Sequence, residues 1–144
     1  MALSLLRAPT NPDPGADRGR QAFTYWHGSF WDCDVVRQGY ELNIPARCCR
    51  SSASDDRSFF GLAAANVILE TVKPAADGSG DLILRLYEAK RCATRTRLTS
   101  TLPLSAAWRC DLLEQPSTAL PCLEGGLDLE LRPFEILTLR LRCG

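Results

Sequence analysis

The stretch Leu127 to Arg142 reads Leu-Asp-Leu-Glu-Leu-Arg-Pro-Phe-Glu-Ile-Leu-Thr-Leu-Arg-Leu-Arg, and its reading decides the fold class. Leu127, Leu129 and Leu131 alternate with Asp128, Glu130 and Arg132, and beyond Pro133 the residues Leu137, Leu139 and Leu141 alternate with Thr138, Arg140 and Arg142. Successive side chains of a strand point to opposite faces, so a period of two places all the leucines on one side and the polar residues on the other. Gly125-Gly126 precedes the first run and Pro133 separates the two. The pair therefore reads as two antiparallel strands, each with one half-buried face.

The same pattern extends upstream. Asn66 to Lys73 (NVILETVK) has strand length and β-branched content, and Asp81 to Glu88 (DLILRLYE) sets Leu82, Leu84 and Leu86 on one face. Pro74-Ala75-Ala76-Asp77-Gly78-Ser79-Gly80 between them signals a hairpin with a long turn. Arg95 to Leu104, with threonines at 96, 99 and 101, and Ala107 to Leu113 read as two further strands before a turn at Gln115-Pro116-Ser117. Cys33 to Leu42 reads as β-structure ending at Pro45. Leu3 to Arg7 and Ala22 to Trp26 fit two more short strands. Ala8 to Gly19 (APTNPDPGADRG) is loop chemistry, because proline fixes φ, glycine supplies positive φ and Asp or Asn closes local hydrogen bonds. Ser51 to Ser58 reads as a polar loop. Phe59 to Ala65 admits at most a turn or two of helix. The expectation is an all-β chain: one antiparallel β-sandwich of roughly eight short strands over residues 1 to 144.

Composition narrows the function classes. The chain has 144 residues, with 17 basic and 17 acidic side chains and no formal net charge. Phosphate neutralisation by clustered cations dominates nucleic-acid affinity, so the balance argues against a nucleic-acid partner. No apolar run approaches the roughly 20 residues that a membrane helix takes. Seven cysteines, at 33, 48, 49, 92, 110, 122 and 143, form no CxxC pair, and with the single histidine His27 they make a poor zinc set. The odd thiol count fits a reduced, cytoplasmic setting. Cys48 and Cys49, flanked by Arg47 and Arg50, read either as a lowered-pKa thiolate pair or as ordinary small side chains.

Chemistry is harder to find. His27 lies near Ser29, but closeness in sequence alone is no evidence of a catalytic pair, and no GxSxG, phosphate loop or dinucleotide fingerprint is present. Glycoside hydrolysis needs two carboxyl groups at a set separation. Asp13 and Asp17 share the proline-rich loop with Arg7, Arg18 and Arg20, where they either serve a site or make turns and surface ion pairs. Phe23, Tyr25, Trp26, Phe30 and Trp31 form either a sugar-stacking platform or part of a core.

Taken in order, Leu5 to Tyr25 (LLRAPTNPDPGADRGRQAFTY), Ser58 to Phe60, Asn66 to Ala89, Arg109 to Glu114 and Leu129 to Arg142 resemble the C-terminal part of glycoside hydrolase family 38 α-mannosidases. The resemblance implies a C-terminal β-sandwich portion, present alone as a fragment and inactive by itself. It implies that the N-terminal catalytic and helical domains are its missing partners and that a mannose-containing oligosaccharide is the substrate. Zinc is implied for the full-length enzyme, with no cofactor or metal ligand in this chain. No catalytic residue is carried over. Arg7, Asp13, Asp17 and Arg18 are the positions implied to line or support a mannose pocket, and Tyr25, Trp26 and Trp31 those for stacking on sugar. A free-standing mannose-binding module is the alternative expectation.

Overall fold

A computed structural model describes residues 6, 11–16, 18–24, 34–44, 46–48, 50 and 56–144. The chain divides into two compact units, Met1–Cys49 and Arg50–Gly144, and all eight strands found lie in the second.

In the first unit the segment expected as β-structure is helix α1, Val35–Asn43. The sequence permits it for a reason that the strand reading overlooked. Val35, Val36, Gly39 and Tyr40 recur at helical spacing and are partly covered, as is Gln38, whereas Arg37 and Glu41 stand exposed. Arg37 Nε pairs with Asp34 Oδ2 at 2.9 Å, one turn back. Ile44 precedes Pro45 and leaves the helical region, at φ −125° and ψ 80°, as the clash with the proline ring dictates. Ala22 to Thr24, expected to begin a strand, carry no regular structure. Leu3 to Leu5, Arg7, and Tyr25 with Trp26 fall outside the described residues.

The second unit is an antiparallel sandwich. Its strands are β1 Phe60–Leu62, β2 Val67–Pro74, β3 Leu82–Glu88, β4 Thr94–Ser100, β5 Leu104–Cys110, β6 Pro116–Leu120, β7 Gly126–Leu131 and β8 Ile136–Cys143. One sheet has the order β1-β4-β7, and the other β2-β3-β8-β5-β6. The β2–β3 hairpin forms as expected. Its turn closes through Ala75 N–H donating to the Asp81 carbonyl at 2.8 Å, with Gly78 and Gly80 at φ 72° and 85°, where a side chain would strain the backbone.

Three local expectations change. The segment around Phe59 to Ala65 contributes strand β1 instead of a helical turn; Gly61 lies opposite Thr99 in the ladder with β4. Gln115-Pro116-Ser117 is where β6 starts: proline cannot donate to a ladder but is accepted as the first residue of an edge strand. The two leucine strands of the opening stretch both form, but in opposite sheets, β7 beside β4 and β8 between β3 and β5. A chain that crosses from one layer to the other at Pro133 aims both leucine rows into the same interior.

That interior holds Leu84, Leu86, Leu137, Leu139 and Leu141 from the large sheet and Leu98, Leu127, Leu129 and Leu131 from the small one, with Val67 and Ala107. Burying each leucine contributes about 1.5–3 kcal/mol relative to leaving it in water. The back of the large sheet is not uniformly wet. Ile83 and Thr138 are buried there, and Arg140 is mostly covered.

Candidate functional site

Among the described residues of the sandwich, four groups of charged side chains join separate segments, apart from the Arg97–Asp128 pair across the β4–β7 ladder. At one end of the large sheet Asp81 immediately precedes β3, beside Arg140 and Arg142 on β8. Asp81 is 2% exposed. Its Oδ2 accepts from Arg140 Nε at 2.6 Å and from an Arg142 NH2 group at 3.1 Å, and its Oδ1 from Arg142 Nε at 3.0 Å. Arg140 also reaches Asp77 Oδ2 and Ser79 Oγ, both at 2.8 Å, which ties the hairpin turn to β8. Arg142 lies over the Trp108 ring, 5.1 Å from its centroid. Hydrogen bonds from Arg142 and Arg140 outweigh burial and hold Asp81 below the ordinary carboxylate range. Bonds from Ser79 and Arg140 likewise hold Asp77 below that range.

A second group joins the β5–β6 turn to the hairpin. Glu114 accepts from Ala76 N–H at 2.8 Å and from Lys73 Nζ, and these bonds hold its carboxyl low. Arg85 donates to the Leu112 carbonyl at 2.9 Å. The third group centres on Glu88 at the end of β3, which is 1% exposed. Glu88 accepts from Asn66 Nδ2 at 2.8 Å, Lys90 N–H at 2.7 Å and Phe134 N–H at 3.0 Å. Burial pushes its carboxyl up, but the bonds from Phe134, Asn66 and Lys90 prevail and its pKa lies below the ordinary value.

The fourth group forms a cleft of about 540 Å³, lined by Ala93, Thr94, Arg95, Arg109, Glu130, Leu131, Arg132 and Glu135. Arg109 donates to Glu135 Oε1 at 3.2 Å and to the Glu130 carbonyl at 3.0 Å, bridging the two sheets. Glu135 Oε2 accepts from Arg132 N–H at 2.7 Å, and Arg95 pairs with Glu130 across the β4–β7 ladder at 2.8 Å. Burial raises the Glu135 pKa, and the Arg132 N–H with the charges of Arg109 and Arg132 brings it below the ordinary range.

These facts limit the chemistry. A general acid at neutral pH needs a carboxyl whose pKa is raised towards 7. Asp77, Asp81, Glu88, Glu114 and Glu135 all shift the other way. Burial pushes the Cys110 thiol up, away from a nucleophilic thiolate. Cys48 is exposed, and Cys49 lies outside the described residues. Among the described residues no three His, Cys, Asp or Glu side chains are grouped to hold a metal ion, so they do not fit the zinc that the resemblance implies for the full-length enzyme.

Of the positions expected to support a mannose pocket, Asp13 and Arg18 are described and both are exposed. Asp13 Oδ1 accepts from Gly15 N–H at 2.8 Å and Arg18 N–H donates to the Gly15 carbonyl at 3.4 Å, so both belong to consecutive turns. Arg7, Asp17, Tyr25, Trp26 and Trp31 lie outside the described residues, as does His27. Sequence reasoning missed Asp81, Glu88, Glu135 and Arg140. A signal was present for two of them: Asp81 and Glu88 bracket an apolar strand, where a carboxylate finds loop N–H groups or a neighbouring strand's arginines.

Comparison with known proteins adds an independent line. Residues 66–139 match the family described as the glycosyl hydrolases family 38 C-terminal beta sandwich domain. The chain is 40% identical over 152 residues to α-mannosidase 2C1 from Homo sapiens and, equally, to that from Mus musculus, with 98% of this chain covered. It is 30% identical over 154 residues to α-mannosidase G from Dictyostelium discoideum. The chain spans only about 15% of the length of the human and mouse relatives.

Proposed function

The chain belongs to the C-terminal β-sandwich domains of family 38 glycosyl hydrolases, and from that premise we propose that it supports an α-mannosidase that hydrolyses terminal α-D-mannosidic bonds in oligosaccharides or glycans. In this reading the catalytic portion is supplied by polypeptide outside these 144 residues, and that portion holds the zinc. The sandwich contributes shape. One observation carries the reading: a 40% match along nearly the whole chain to proteins about seven times its length. The charge arrangement supports it. The five depressed carboxylates are engaged by donors from strands and turns, so they fix the positions of loops and are unsuited to donating protons at neutral pH.

The test is a chimera in which this chain replaces the matching segment of human α-mannosidase 2C1, assayed on an aryl α-mannoside beside the isolated chain. Turnover by the chimera and none by the isolated chain is the expected result. Hydrolysis by the isolated chain would place catalytic groups within it and refute the reading. A chimera that is soluble and inactive would show that this sandwich cannot serve that enzyme.

A further inference from the structure

The two sheets are unequal, with five strands facing three. Part of the large sheet's inner face must therefore lack a covering layer. That part is on β2. Val72 stands opposite Leu84, and Leu69 opposite Leu86, and directly paired residues of an antiparallel ladder share a face. Leu84 and Leu86 are fully buried, yet Val72 on the same face is 49% exposed. Phe59, just before β1, is 54% exposed.

Leu69, Val72 and Leu82 join Phe59, Phe60 and Leu102 in lining an apolar groove of about 590 Å³, with Arg57 and Ser58 also at its walls. Phe60, Leu69 and Leu82 at the same time pack against the buried core, so the groove is the margin of the core itself and not a separate surface dimple. Both neighbouring strands are sheet edges, β1 pairing only with β4 and β2 only with β3. Elsewhere between the layers, Arg109 spans from β5 to the Glu130 carbonyl on β7 and closes the gap with polar bonds. Just before β2 the layers are joined by Asn66 Nδ2, which donates to Thr94 Oγ1 on β4 at 2.7 Å, whereas the groove is walled by apolar side chains apart from Arg57 and Ser58.

The geometry points to this groove as the seat of an apolar segment from the remainder of a family 38 α-mannosidase polypeptide, which lies over Phe59 and Val72 and completes the layer that the three-stranded sheet leaves short. The inference rests on the function proposed above. The relatives carry about 85% of their length outside the region matched, so covalently attached polypeptide is abundant. The size of the groove favours an attached partner over a second copy. Six apolar side chains are few beside the roughly 20–30 residues a side of a stable interface between separate molecules. A tethered segment needs far less contact, because its effective concentration is already on the order of millimolar.

The experiment compares amide hydrogen exchange in the isolated 144-residue chain and in the α-mannosidase 2C1 chimera, each with and without Val72→Glu, and repeats it with Phe59→Ser. In the chimera the amides of residues 57–62 and 67–73 should exchange at least tenfold more slowly than in the isolated chain. Either substitution should abolish that added protection while leaving the isolated chain's melting temperature close to its original value. An active chimera without added protection at β1 and β2 overturns the inference and leaves the proposed function standing. An inactive chimera overturns both. Protection that rises with concentration in the isolated chain, and is lost on Val72→Glu, assigns the groove to a second copy and also overturns it.

Discussion

A Glu88→Gln substitution leaves the shape of the side chain almost unchanged but removes one charge and one acceptor. Oε1 accepts from Asn66 Nδ2 and Lys90 N–H, and Oε2 from Phe134 N–H. With the amide oxygen kept in the Oε1 position, the new NH2 group faces the Phe134 N–H, donor against donor. An unsatisfied buried donor costs about 1–3 kcal/mol, and two charge-assisted bonds become neutral ones, so a loss of about 2–3 kcal/mol is expected. Glu88→Ala removes the acceptor of the Phe134 and Lys90 N–H groups and leaves Asn66 Nδ2 with Thr94 Oγ1 alone, and should lose about 3–5 kcal/mol. A 2 kcal/mol loss lowers the melting temperature of a unit the size of Arg50–Gly144 by roughly 8–12 °C. The pH dependence follows from the depressed native pKa. The unfolded chain, with its carboxyl near the ordinary 4.5, takes up the proton first as pH falls. The stabilisation is complete above that value, erodes below it and is gone once pH passes the lower native value. The gap between the wild-type chain and Glu88→Gln should therefore be full at pH 7 and shrink as the solution is acidified below about pH 4.5. Urea titrations at several pH values measure it. A Gln variant within about 0.5 kcal/mol of wild type at pH 7, or a gap that does not change with pH, would refute the idea that this carboxylate pins the three segments.

Leu139→Ala removes a fully buried side chain from the central strand of the large sheet and should cost about 2–5 kcal/mol, read as a shift in the urea midpoint. Gly126→Ala would set its Cβ 2.7 Å from the Leu98 carbonyl oxygen and 3.2 Å from Arg97 Nε; the β4–β7 ladder must give way, and a loss of about 1–3 kcal/mol by thermal unfolding is expected. Asp81→Asn breaks the pairs with Arg142 and Arg140. Because those pairs lower the native pKa beneath the ordinary 3.8, the wild type loses this stabilisation as pH falls through that region, and the variant's stability curve should be flatter there.

The strands with strict alternation were legible, and for a physical reason. In β3, β7 and β8 the inner face is leucine at every second position, so one register satisfies both burial and pairing. Their partners were less legible, because sheet assignment depends on where the chain changes layer, and Pro133 marks only that it turns. Helix α1 was misread because Val35, Val36 and Tyr40 have the composition of a strand. Only their spacing with Gly39, and the Arg37 pair with Asp34, distinguish a helical face over nine residues. Strand β6 was hidden by its first residue, a proline that signals a turn more often than an edge.

The polar groups were illegible for a different reason. Arg140 and Arg142 look like solvent-facing positions of an alternating strand, yet the hairpin turn folds Asp77 and Asp81 against them over a sequence separation of about sixty residues, which no local pattern records. Asp81 joins the hairpin to β8, Glu114 ties the β5–β6 turn to the hairpin, Glu88 gathers three segments, and Glu135 with Arg109 spans the two sheets. A carboxylate held by several donors from different segments is poor at giving or taking a proton and good at fixing the segments that hold it. Strain or motion at the rims would have to break those bonds first. The charged residues of this sandwich thus hold its rims in place, while Phe59 and Val72 leave an apolar margin in contact with solvent.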